Sequence, residues 1–108
     1  MPGTSIGRGN LLVSMALAPT LIPTSVTAGS TAGQSFPIKG LQVNDFVRVS
    51  YSGSQNQGIG IGDARVIATD TLEITFFNVS GTDMAPAPGK YLIMLDRAEY
   101  GPLPTTAA

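Results

Sequence analysis

Few side chains in this 108-residue sequence can do chemistry. Seven carboxylates stand at Asp45, Asp63, Asp70, Glu73, Asp83, Asp96 and Glu99, with no Cys and no His beside them. Thiolate nucleophiles, disulfides, Cys- or His-ligated metals, an imidazole base and a Ser-His-Asp triad are therefore excluded. Glycoside hydrolysis would need two carboxylates facing across a cleft, for which so short a chain has little room. Asp45 and Asp70 stand where turns favour Asp. Calcium would need several oxygen ligands on one loop, and Ser80–Asp83 supplies a single carboxylate. The expectation is a non-enzymatic chain with no catalytic residue, no metal and no cofactor.

Three motifs remain to be weighed. Gly58-Ile59-Gly60-Ile61-Gly62 has the look of a phosphate loop, but the dinucleotide fingerprint needs G-x-G-x-x-G leading into a helix. Asp63 stands where that spacing breaks, so a glycine-kinked strand is the reading. Asn78-Val79-Ser80 matches a glycosylation sequon and reads as a chance match without a secretory signal. Tyr51, Tyr91 and Tyr100 could line a sugar platform, yet aromatics are 6% of the chain and Trp is absent, which favours packing roles. Arg8, Arg48, Arg65 and Arg97 are scattered. Arg is the preferred partner of carboxylates at interfaces, so each is a candidate intersubunit contact, set against an ordinary solvated or intrachain pair.

The elements that must position these groups read as short strands. Phe46–Tyr51 alternates Val47, Val49 and Tyr51 with Arg48 and Ser50. Ile59–Ala68 is a strand in which Gly60 and Gly62 mark a bulge. Thr69-Asp70 is a tight turn, and Thr71–Asn78 alternates Leu72, Ile74 and Phe76 with Glu73 and Thr75. Phe77 falls on the polar face and needs a cover. Lys90–Arg97 carries apolar residues on both faces, which predicts a central strand or one lying beneath a neighbouring subunit. Thr24–Thr27 and Gln34–Ile38 are shorter candidates, the latter held to an edge or an end by Pro37. Gly29–Gly33 reads as a turn or loop. Leu11–Ala18 is apolar apart from Ser14 and fits either a strand or a short helix; it also mimics, poorly, a signal peptide ending in Ala16-Leu17-Ala18. Ser52–Gly58 and Ser80–Gly89 are loops.

No segment of ten residues has helical periodicity. The spacing of strands and turns predicts an all-β fold: a small antiparallel β-sandwich or jelly-roll-like domain with extended arms at both termini. The organisation is an arm and first apolar segment over 1–19, a β-domain over 20–97 and an extended tail over 98–108. Charged residues are only 12% of the chain and the net charge is −1, so a phosphate-tracking surface for direct nucleic-acid binding is not expected. No apolar run approaches the ~20 residues that span a bilayer, and no membrane partner is expected. Low net charge instead suits a subunit packed against others. Residues 1–10 and 98–108 lack any pattern for burial in their own domain. Fixing both would cost roughly 20–40 kcal/mol of backbone entropy, so they are expected to lie along neighbouring chains.

Within this frame a family resemblance is visible. It runs through Gly40-Leu41-Gln42-Val43-Asn44-Asp45-Phe46-Val47, Gly58-Ile59, Ala64-Arg65-Val66, Asp70-Thr71-Leu72-Glu73-Ile74-Thr75-Phe76 and Asn78-Val79-Ser80-Gly81. Pro86 and the Tyr91 strand ending in Arg97 complete it, together with the opening Met1-Pro2-Gly3 to Asn10. This order resembles small virion structural proteins of tailed bacteriophages, in particular capsid decoration (cement) or head-fibre proteins, over residues 1–12 and 40–97. The resemblance implies an all-β homotrimer on the capsid exterior that braces joints between major capsid proteins, with no active site. Tail-fibre and tail-spike modules share the same texture, and imply receptor or glycan binding through Ser52–Gly58 and Ser80–Gly89. The expected function is capsid decoration, with the chain itself and the major capsid protein as partners. The candidate assembly contacts are Arg8, Leu11, Leu12, Arg48, Arg65, Phe77, Arg97 and Tyr100.

Overall fold

The computed structural model describes residues 11–99 and 102–106. Seven antiparallel strands occur in the order β1 (Leu11–Leu17), β2 (Thr20–Leu21), β3 (Thr31–Pro37), β4 (Phe46–Tyr51), β5 (Ile59–Ala68), β6 (Thr71–Asn78) and β7 (Gly89–Ala98). Among the described residues there is no helix. Two sheets result. In the first, β7 is central, with β1 and β2 along one edge and β4 along the other. In the second, β6 lies between β3 and β5. The expected all-β antiparallel sandwich is what forms.

The core lies between the two central strands. Leu72, Ile74 and Phe76 of β6 and Tyr91, Ile93 and Leu95 of β7 are each at most 1% exposed. These are the period-2 positions of both strands, and burying each such side chain stabilises the fold by about 1.5–3 kcal/mol. Phe76 meets Tyr91 edge-on at a centroid separation of 6.2 Å. Leu21, Val26, Phe36, Ile38, Leu41, Ile59 and Val66 close the core around them.

The ambiguous segment Leu11–Ala18 is a strand, pairing with β7 from Leu11↔Ala98 to Leu17↔Ile93 around a bulge between Leu11 and Val13. β2 continues along the same edge of β7, and the break between them falls at Pro19, which has no N–H to donate. The carbonyl of Pro19 still accepts from Tyr91 N at 2.9 Å. The first apolar segment is thus an edge of the domain's own sheet.

Two shorter expectations need correction. Thr24–Thr27 makes only an isolated bridge, Val26↔Met84. Its backbone groups are satisfied otherwise: the Gln34 amide donates to Thr24 O and accepts from Thr24 N, at 2.8 and 2.7 Å, and Asp83 accepts from Ala28 N at 2.9 Å. Side chains replace a strand ladder there. The turn read over Gly29–Gly33 is also shorter than expected. Gly29 takes a φ of 72°, and from Thr31 onward the chain is already in β3. Pro37 is the last residue of that edge strand, as its missing N–H requires.

Candidate functional site

The motifs that invited a catalytic or ligand-binding reading are absorbed by the fold. Gly60 sits in β5 beneath the Phe77 ring of β6. A Cβ there would fall 2.1 Å from the ring, so only glycine admits this contact. Phe77, on the outer polar face of the second sheet, thereby covers the bare backbone of its partner strand. Gly62 lies at the bulge between Ile61 and Asp63. The glycine run is therefore a strand with an aromatic laid over it.

Asn78 of the sequon is 1% exposed. Its Nδ2 donates to Val26 O and Thr82 O, both at 2.9 Å, while its Oδ1 accepts from the amide and hydroxyl of Ser80. Its bonding capacity is divided between Val26 and the loop after β6, so the amide nitrogen is unreachable for glycosylation in the folded chain.

Tyr51 and Tyr91 pack at 4.8 Å between centroids. Tyr91 O–H donates to Ala87 O at 2.7 Å and accepts from Gln55, and Tyr51 O–H donates to Pro88 O at 2.8 Å. Burial pushes the Tyr91 hydroxyl pKa up from 10.0. Both rings hold the 85–88 loop rather than face solvent as a platform. The loops after β4 and β6 meet: Asn56 Nδ2 donates to Ala85 O, and Gln55 Oε1 accepts from Ala87 N.

The carboxylates are dispersed, and among the described residues no three Asp or Glu side chains come together as a metal-holding set. Asp45 is the buried one. Arg97 grips it with two parallel bonds, Nε to Oδ1 and Nη2 to Oδ2, both 2.9 Å, and also donates to Gly40 O at 2.7 Å. Asp45 Oδ2 accepts from Gln42 N at 2.8 Å and so closes the turn before β4. The Arg97 hydrogen bonds hold the Asp45 carboxyl below its ordinary pKa of 3.8, against the opposing effect of burial. Above this pair an open groove of about 460 Å³ is lined by Val43, Asn44, Phe46, Ala98, Glu99 and Leu103, among others.

The surface beside this groove is unusual. Directly paired residues share a face, so the outer face of the first sheet can be followed in rows. Ser14, Asp96 and Phe46 form one row; Ala16, Met94 and Arg48 the next; Leu92 and Ser50 a third; Leu11 pairs with Ala98 at the end. Phe46 is 52% exposed, Met94 50%, Leu92 42%, and Leu12 at the bulge 45%. Phe46 also lines the groove, where Val43 and Leu103 are exposed as well. Among the described residues, six of the ten large exposed hydrophobic side chains therefore belong to this face and the groove it adjoins. The outer face of the second sheet is different in kind. Its rows read Ser35, Glu73, Arg65 and Gly33, Thr75, Asp63, with Phe77 folded over Gly60.

The sequence-predicted contact residues separate accordingly. Leu11, Leu12 and Arg48 lie on or beside the apolar face. Arg65 pairs with Glu73 at 3.3 Å on the opposite sheet, and Phe77 sits on that same sheet. Arg97 is committed to Asp45 inside the chain. Arg8 and Tyr100 lie outside the described residues. Phe46, Val43 and Leu103 were not singled out from the sequence. The signal for Leu92 and Met94 was present, in the apolar residues on both faces of Lys90–Arg97. In comparisons with known proteins, no family model, no curated protein and no solved structure matches the chain.

Proposed function

We infer that this chain is a non-enzymatic structural subunit of a bacteriophage particle, a decoration protein. It binds the outer capsid surface and stabilises contacts between major capsid proteins. The observation that carries the reading is the uneven surface: apolar side chains are gathered on the outer face of the first sheet and the adjoining groove, while the second sheet is mostly polar outside, with Ile67 of β5 its exposed large hydrophobic residue among those described. Exposed apolar patches of this kind mark interaction sites, and covering them releases about 25 cal/mol per Å². The resemblance of residues 1–12 and 40–97 to decoration and head-fibre proteins supplies the particle. The mechanism needs no chemistry. A ligand that binds only the assembled shell raises the free energy required to part its subunits.

The test is a binding assay of purified chain on decoration-free phage heads, followed by imaging of the particle. Wild-type chain is expected to saturate the head exterior and raise the temperature at which heads rupture. Deletion of residues 1–10 is expected to lower occupancy while leaving the unfolding midpoint of the domain unchanged. Full occupancy by that deletion would remove the arm from the mechanism. Location on the tail, or saccharide binding on a glycan array with no head binding, would overturn the decoration reading.

A further inference from the structure

We propose that the outer face of the β1–β7–β4 sheet pairs with the same face of a second copy, about a two-fold axis running along the Phe46–Met94 diagonal. The proposal rests on reading this face as a docking surface, and it names the occupant.

Four residues set the pattern of this face. Phe46 is opposite Asp96 and Arg48 is opposite Met94, so the four form a quartet with apolar groups on one diagonal and opposite charges on the other. Positions two apart along a strand are about 6.6 Å apart, and neighbouring strands about 4.8 Å, so the quartet is a rectangle of about those sides. A two-fold axis in the plane of the face, laid along the apolar diagonal, places Phe46 over Phe46 and Met94 over Met94. The same rotation brings Arg48 of each copy to within about 2–3 Å, in projection, of Asp96 of the other, an offset that the long Arg side chain spans. The pattern is self-complementary, as a two-fold interface requires.

The charges on this face are available for such a contact. The Arg48 guanidinium makes no ion pair among the described residues; its recorded contact is Nη2 to Met94 Sδ at 4.0 Å. Asp96 accepts one bond, from Ser14 Oγ to Oδ1 at 2.7 Å, and its second oxygen has no donor among the described residues. Elsewhere Arg65 and Arg97 have found carboxylates within the chain. Arg48 and Asp96 have not found each other, although they are diagonal neighbours. An Arg and a carboxylate left open on an apolar face match a copy of themselves and set its register.

Size sets the strength. Three strands of about six residues present roughly 14 by 20 Å, about 300 Å², against the ~800 Å² per partner of a stable complex. The pair is therefore weak between free chains and becomes strong when a surface holds two copies side by side, because effective concentration replaces affinity. Being isologous, it joins copies in twos, in place of the homotrimer that the resemblance implies, and leaves the adjoining groove, with exposed Val43 and Leu103, for capsid contact.

Sedimentation of the full chain over roughly 10 µM to 1 mM is expected to show a reversible monomer–dimer equilibrium. Arg48→Asp and Asp96→Arg are each expected to weaken dimerisation by about tenfold or more. The two together are expected to restore it toward wild type, which loss of apolar area alone would not do. A second measurement avoids dependence on affinity. The chain lacks cysteine, so Met94→Cys introduces a single thiol, and a short bismaleimide is expected to link it copy to copy far faster than Val79→Cys, which follows β6 of the other sheet and is 74% exposed. A chain monomeric at 1 mM, no rescue by the reversed pair, or equal linking at positions 94 and 79 would each overturn the proposal. Head binding by a chain that never pairs would leave the decoration reading standing and remove this one.

Discussion

Asp45 shows how much one residue carries in a chain so poor in charge. Its side chain is 2% exposed and its partner Arg97 18% exposed, so neither is well hydrated. Removing one member of such a pair strands the other, at a cost of about 3–5 kcal/mol. Arg97→Ala is therefore expected to lower the urea midpoint sharply, whereas Arg65→Ala, at the exposed pair with Glu73, is expected to change stability by less than about 1 kcal/mol. The pH dependence follows from the direction of the shift. The folded Asp45 carboxyl ionises below its ordinary 3.8. Its contribution is thus complete above that value and is lost as pH falls through the lower folded-state pKa. Urea midpoints measured from pH 7 down to about 2 should fall below pH ~4, and Asp45→Asn should flatten that fall. Turn chemistry made Asp45 legible in the sequence as a turn residue. Its bond to Gln42 N bears that out. The pairing with Arg97 spans 52 positions and has no local signature.

At the scale of elements, the strands with clean alternation were readable and the irregular ones were not. β4, β5 and β6 begin and end where the sequence pattern places them, because each has one buried face and turn residues at its ends. Thr24–Thr27 looks like a strand by composition, but a bridge to Met84 and the side chain of Gln34 engage its backbone instead, and Asp83 holds the next amide, that of Ala28. No local rule reveals such long-range substitutes. The same holds for Asn78, which reads as a sequon and acts as a latch between β6, Val26 and the loop through Thr82. Asn78→Ala would leave the Ser80 amide without its acceptor and take one of the two donors from each of Val26 O and Thr82 O, at about 1–3 kcal/mol for a group cut off from water. The loop from Val79 to Pro88 is expected to become open to proteolysis in that variant at concentrations of urea the wild type tolerates. Unchanged cleavage kinetics would show that the tyrosine bonds to Ala87 and Pro88 hold the loop alone.

For the whole molecule, the informative feature is that one sheet has two apolar faces. The alternation in Lys90–Arg97 announced this from the sequence, as a central strand or one lying under a neighbour; β7 is central, and its outer face remains open. What the sequence could not disclose is that Val43 and Phe46, before and at the start of β4, and Leu103, after β7, extend the same surface, since their adjacency depends on the pairing of β4 with β7 and on the path of the chain after β7. Adjacent residues in β7 therefore carry opposite tasks, and this can be measured. Ile93→Ala opens a cavity between the sheets and is expected to cost about 2–5 kcal/mol in urea unfolding. Met94→Ser removes a half-exposed side chain and is expected to change monomer stability by no more than about 0.5 kcal/mol, while reducing association and head binding. If Met94→Ser instead destabilised the isolated chain as Ile93→Ala does, the outer face would be part of the domain's own packing, and its apolar character would no longer require a partner.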